Sequence, residues 1–144
     1  MKKKAKILIV EDDPGDQKLI KSALQSQKLA CDIMTVETGE EALEYLRGCC
    51  DGRDVSGLPN LILLDLNMPG MGGKEFLRRI KGDELLRCVP VVIVTTSDTE
   101  TDVEEGYQLY AAGYVQKLAS PAEFHNIIEK LAKYWFSMSS LVNR

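Results

Sequence analysis

Five short apolar runs, each stopping at polar or charged residues, constrain what this chain can become. They are Ile7–Val10 before Glu11-Asp12-Asp13, Ile33–Val36, Leu61–Leu64 before Asp65, Val91–Val94 before Thr95, and Tyr114–Gln116 before Lys117. Runs this continuous suit strands covered on both faces rather than half-exposed ones. Between them, apolar residues return at helical spacing: Leu19, Ile20, Ala23 and Leu24 after Pro14-Gly15; then Ala42, Leu43 and Leu46; then Phe76, Leu77 and Ile80. A weaker helix is expected from about Thr101 to Leu109, and Pro121 opens a last one striped by Phe124, Ile127, Ile128 and Leu131. Gly48 to Pro59, with Gly52, Ser56 and Gly57, reads as a loop. Strand–helix alternation at this spacing implies right-handed parallel crossovers, so the expected fold is α/β: a doubly wound, five-stranded parallel sheet with helices on both faces. One domain over 1–144 is expected, with a core at 6–136 and a tail at 137–144.

Composition narrows the function classes. With 18 Lys+Arg against 22 Asp+Glu the net charge is −4, which leaves no basic footprint for nucleic acid. The apolar run after Lys2-Lys3-Lys4 stops at Glu11, too soon for a secretory h-region, and no stretch is long enough to span a bilayer. A cytoplasmic protein is the expectation, with no membrane partner. Cys31, Cys49, Cys50 and Cys88 lack C-x-x-C spacing and lie far in sequence from His125, so they read as free thiols, not a zinc site.

In an open parallel sheet the functional site lies beyond the carboxyl ends of the strands. Those ends deliver Glu11, Asp12 and Asp13, then Asp65 and Asn67, then Thr95, Thr96 and Ser97, and finally Lys117. Clustered carboxylates repel unless protonated or bound to a cation, and an all-oxygen set favours a hard ion such as Mg²⁺. A lysine and a hydroxyl complement them, because both can donate to a phosphoryl oxygen. A carboxylate held between a cation and a lysine can attack phosphorus. Taken singly, the acids read as helix caps, the threonines as a cap and Lys117 as a surface charge. Asp65 resists that reading, since so apolar a strand rarely ends in an unpartnered charge.

The runs Ile7-Leu8-Ile9-Val10-Glu11-Asp12-Asp13, Leu63-Leu64-Asp65-Leu66-Asn67-Met68-Pro69-Gly70-Met71-Gly72-Gly73, Pro90-Val91-Val92-Ile93-Val94-Thr95 and Gly113-Tyr114-Val115-Gln116-Lys117 resemble the receiver domain of two-component response regulators. The resemblance covers nearly the whole chain in the family's order. It implies the flavodoxin-like strand order 2-1-3-4-5. It also implies that Asp65 is the phosphoacceptor, that Asp12 and, through water, Glu11 hold Mg²⁺ with Asp65 and the Asn67 carbonyl, and that Thr95 and Lys117 complete the site. Tyr114 would be the aromatic whose rotamer follows phosphorylation. The implied partner is a sensor histidine kinase or phosphotransfer protein, with a downstream target that the sequence does not name. The domain would be a switch rather than an enzyme.

Three features depart from the pattern or compete with it. Leu118 follows Lys117 where the family has a proline in a cis bond; a non-proline cis bond costs ~2.5–4 kcal/mol, so a trans bond and a differently aimed lysine are expected. Thr96 stands where the family prefers a small residue. Gly72-Gly73-Lys74 mimics part of a nucleotide loop, but Glu75 occupies the place of its Ser or Thr. Against an aspartyl-phosphate hydrolase, Asn67 replaces the second acid two residues after the nucleophile. A degenerate receiver that only binds a partner is the other alternative, disfavoured because every site residue is present.

With no room for an output domain, the output is expected to be a contact. Tyr134, Trp135 and Phe136 end the last helix; the apolar stripe reaches Trp135 from Ile128 and Leu131, leaving adjacent aromatics as a lid on the domain or an interface anchor, with a homodimer as one form. This end and the long mid-chain loop also resemble the small regulators paired with bacterial phytochrome-type histidine kinases.

Overall fold

The computed structural model describes residues 5–26, 31–96, 99–117 and 120–138. Ser97, Leu118 and most of the expected tail lie outside them, and so does the geometry of the Lys117-Leu118 bond. The strands are β1 (Ala5–Val10), β2 (Cys31–Val36), β3 (Leu61–Leu64), β4 (Val91–Thr95) and β5 (Gly113–Gln116). Alternating with them are α1 (Pro14–Gln25), α2 (Gly39–Gly48), α3 (Gly73–Gly82), α4 (Glu100–Gln108) and α5 (Pro121–Lys133). All pairings are parallel, in the order β2-β1-β3-β4-β5. The expected doubly wound sheet is therefore present, with β2 starting at Cys31, two residues before the apolar run.

The pleat sorts each strand's side chains onto two faces. Leu8, Val10, Ile62, Leu64, Val91 and Ile93 pack with Leu43 and Leu46 of α2 and Phe76, Leu77 and Ile80 of α3. Ile7, Ile9, Leu61, Leu63, Val92 and Val94 pack with Ile20 and Leu24 of α1 and Phe124 and Ile128 of α5. Burial of each such side chain contributes roughly 1.5–3 kcal/mol, which is why β1, β3 and β4 read as unbroken apolar runs. Asp13, Thr38, Thr99 and Ser120 cap α1, α2, α4 and α5 by accepting a hydrogen bond from the residue three places on. Asp13 thus has the capping role that its place beyond the acidic pair implies.

The last helix corrects one expectation. Its buried row is Phe124, Ile128, Ala132 and Phe136, while Trp135 is only half-buried and Tyr134 is 54% exposed. Phe136, not Trp135, continues the apolar stripe, on a single π-helical turn over Tyr134–Met138. Within the mid-chain loop, Asp51 and Asp54 form an antiparallel bridge and Leu58 is fully buried. Cys49 and Cys50 are half-buried against the α2–α3 side of the core, and none of the four cysteines forms a disulfide among the described residues.

Candidate functional site

Strand ends bring the chemistry together because backbone pairing fixes their levels. Glu11 N donates to Val36 O at 3.0 Å, Asp65 N to Val10 O at 3.0 Å and Lys117 N to Thr95 O at 2.7 Å. Glu11, Asp65 and Thr95 are the only buried polar residues among those described, at 1%, 5% and 0% exposure. Carboxylate oxygens of Glu11, Asp12 and Asp65 all lie within 4.8 Å of one another, with Asp12 the most open to solvent. Asn67 donates its backbone N–H to Asp65 Oδ1 at 3.3 Å and its amide to Thr95 Oγ1 at 3.4 Å, so it links Asp65 to Thr95.

Lys117 is the sole cation in direct contact with this cluster among the described residues. Its ammonium is in contact with Glu11 Oε1, lies 2.9 Å from Asp16 Oδ2 and 3.6 Å from Asp65 Oδ2, and the side chain is almost wholly buried. Burial alone would depress its pKa, but the close charge pairing with Glu11 and then the hydrogen bond to Asp16 outweigh that and hold it above the ordinary lysine value. Despite Leu118, the ammonium reaches the acidic cluster, though it lies nearer to Glu11 and Asp16 than to Asp65.

Glu11 responds in the opposite sense. Burial drives its carboxyl pKa up, the Lys117 ammonium pulls it back and the Asp65 charge pushes it up again, to about 7. The contact with Lys117 is close but poorly aligned, and Glu11 Oε1 accepts no well-formed hydrogen bond. A buried, oxygen-only cluster with an under-satisfied carboxylate fits a hard divalent cation. Because the folded pKa lies above the ordinary 4.5, Glu11's stabilising contribution is full below pH 4.5 and is lost as pH rises to about 7. Cation binding requires the ionised form, so apparent affinity for a divalent cation is expected to fall up to about tenfold per pH unit below 7. Calorimetric titration between pH 5.5 and 8 checks this; an affinity independent of pH would remove Glu11 from the binding set.

Tyr114 is half-buried on β5, and its ring lies beside Gly106 of α4, whose Cβ, if present, would sit 3.3 Å from the ring and 2.8 Å from Ile93 Cδ1. α4 therefore rests on the sheet through a glycine, next to the aromatic. Lys74 ion-pairs with Asp102 and, at 2.7 Å, with Glu105, tying α3 to α4. Tyr134, Trp135 and Phe136 do not join the site. α5 begins at the carboxyl edge of the sheet and runs back, so they fall at the opposite edge, where Phe136 shares a core with Ala5. Asp16 is the site residue that the sequence reading missed. Its signal was the fourth acid of Glu11-Asp12-Asp13-Pro14-Gly15-Asp16, but only the tertiary fold brings it to Lys117.

Acidic pair, central aspartate, hydroxyl and lysine on this sheet define a phosphoacceptor switch, and residues 7–129 match the response regulator receiver domain. The chain belongs to that family. It is 32% identical over 135 residues to response regulator Rcp1 of Synechocystis, covering 94% of this chain and 91% of that protein. The structure of a phosphorylated cyanobacterial phytochrome response regulator, RcpA, superposes with a TM-score of 0.88 at 37% identity, covering 96% of this chain and 99% of that one. The Mn²⁺-bound form of Rcp1 gives a TM-score of 0.86 at 31% identity, with 96% and 99% covered. Receiver domains bind a divalent metal in an acidic pocket and act as phosphoacceptor switches, partnered by histidine kinases or phosphotransfer proteins. No helix among the described residues is long and apolar enough to cross a membrane.

Proposed function

We propose that Asp65 accepts a phosphoryl group from the phosphohistidine of a sensor kinase in a Mg²⁺-dependent reaction, and that the resulting acyl phosphate switches a protein-binding surface. The observation that carries this is the buried Asp65 carboxylate facing Lys117 across a cluster shared with Glu11 and Asp12. An Asp65 carboxylate oxygen forms the new O–P bond as the P–N bond breaks, its electron pair leaving with the imidazole, which takes a proton from water. Lys117 donates to the phosphoryl oxygens and offsets their charge, in a pocket where burial strengthens the interaction. Glu11, Asp12, Asp65 and the Asn67 carbonyl would hold Mg²⁺, which when bound neutralises charge on the transferring group. The Thr95 hydroxyl then turns toward the new phosphoryl oxygens and releases its contact with Asn67. That movement biases α4 and Tyr114 between two positions.

The output surface we assign is the face of α4, β5 and α5, with Tyr134 and Trp135 at its far end; their rings meet edge-on with centroids 6.2 Å apart. Phe136, being buried, is excluded as an anchor. The kinship with RcpA and Rcp1 favours a phytochrome-type histidine kinase as donor.

Incubation of the purified protein with acetyl phosphate and Mg²⁺, followed by intact mass, tests this reading. The expected result is one phosphoryl adduct, absent without the cation and absent in Asp65→Asn. Rapid multiple turnover would instead indicate a hydrolase, and no adduct a binding module.

A further inference from the structure

The Lys117 ammonium is shared by three carboxylates, and two of them have other work in the reaction. Glu11 belongs to the oxygen cluster suited to the cation, and Asp65 gives up an oxygen to phosphorus. Asp16 belongs to neither role. It stands outside the three-acid cluster and holds Lys117 Nζ at 2.9 Å, closer than Asp65 does at 3.6 Å.

Asp16 is also the best-anchored of the three from the helix side. Its N–H donates to Asp13 Oδ2 at 2.8 Å, Pro14 opens the helix, and the neighbouring Gln17 amide donates to the Glu11 carbonyl. Ile20, Ala23 and Leu24 fix α1 on the sheet. Lys117 has the opposite character, a four-carbon side chain with high rotamer freedom on the segment that follows β5. An acid in a helix's first turn is ordinarily explained by the helix dipole. A dipole does not explain an ion pair to a buried lysine 101 residues away.

We propose that Asp16 is a positioning residue for phosphoryl transfer. It anchors the Lys117 ammonium from α1, so that the lysine stays aimed at Asp65 and the incoming phosphoryl oxygens when Glu11 is engaged by a cation. This rests on the phosphoacceptor reading above. Loss of an anchor on a group that must meet the transition state costs tens-fold in rate without altering the groups that bind the metal.

The test compares wild type, Asp16→Asn, Lys117→Met and the double variant, each phosphorylated with acetyl phosphate at saturating Mg²⁺. Asp16→Asn keeps the size and loses the charge, at a residue a third exposed, so it is expected to fold. The expected result is a phosphorylation rate about tenfold lower, a Mg²⁺ dissociation constant within about twofold of wild type, and no further loss on adding Asp16→Asn to Lys117→Met. The ¹⁵N-ammonium resonance of Lys117, protected by burial in wild type, is expected to broaden by solvent exchange in Asp16→Asn, a change that loss of helix stability alone would not produce. Equal rates in wild type and Asp16→Asn would overturn the positioning role. So would additive losses in the double variant, or a weakened Mg²⁺ affinity that accounts for the slowing. A wild type that takes no phosphoryl group would overturn the phosphoacceptor reading itself, and this role with it.

Discussion

Replacement of Lys117 by methionine is expected to destabilise the metal-free protein by about 2–4 kcal/mol at pH 8 and to slow phosphoryl transfer about a hundredfold or more. The stability loss arises because Glu11 and Asp65 are both buried and Lys117 is the cation between them. Methionine fills much the same volume, so packing changes little while the charges lose their partner. The sign follows from Glu11, whose pKa already stands at about 7 and would rise further without the ammonium. A raised acid pKa means stability that is full below pH 4.5 and lost as pH rises through the folded value. The deficit of Lys117→Met should therefore be small at pH 5 and largest above pH 7. Added Mg²⁺ should recover part of it at pH 8, since the cation replaces the missing positive charge. Urea denaturation at pH 5 and pH 8, with and without Mg²⁺, reads all of this. A deficit independent of both pH and Mg²⁺ would mean that the lysine acts through packing alone.

The sheet was legible because its inner strands are buried on both faces, which leaves an uninterrupted run such as Leu61–Leu64 and forces any charge at its end to have a reason. Asp65, Glu11, Thr95 and Lys117 could be placed together for that reason, without any knowledge of helix positions. Asp16 could not, because on the sequence it is an ordinary first-turn acid and its partner is 101 residues distant. Phe136 was missed for a different reason. Its row runs through Ala132, whose small side chain gives almost no signal, while Leu131 and Trp135 form a louder neighbouring row that is only half-buried. α4 read weakly because Gly106 is its only buried residue. A helix held to the sheet by so little side-chain burial, with ion pairs to Lys74 at its rim, is weakly anchored, which suits the shift proposed for it.

Gly73→Ala is the second substitution with a large expected effect, and its neighbour shows why. At Gly72 the φ of +75° makes alanine strained, at roughly 1–2 kcal/mol, but no atom lies within 4 Å of the added Cβ. At Gly73 the difficulty is contact rather than conformation. A Cβ there would lie 2.4 Å from the Asp65 carbonyl oxygen and 2.6 Å from Leu66 Cα, and Gly73 N is meanwhile bonded to Leu66 O at 3.1 Å. These are backbone atoms of the segment that carries Asp65, so no rotamer change can relieve the clash; either α3 backs away or the Asp65 loop shifts. Overpacking of this kind costs roughly 1–3 kcal/mol, and the rigidity of both partners places Gly73→Ala at about 3 kcal/mol. The two variants should therefore separate two effects. Gly72→Ala is expected to lower the unfolding free energy while leaving the acetyl phosphate labelling rate near wild type. Gly73→Ala is expected to lower both, because the displacement falls on the carbonyl of the reacting residue, and misplacement of about an ångström at a reacting group can cost a hundredfold. Parallel denaturation and labelling of the pair decides it: similar labelling rates for the two variants would show that the Asp65 loop tolerates the added carbon and that α3 alone yields.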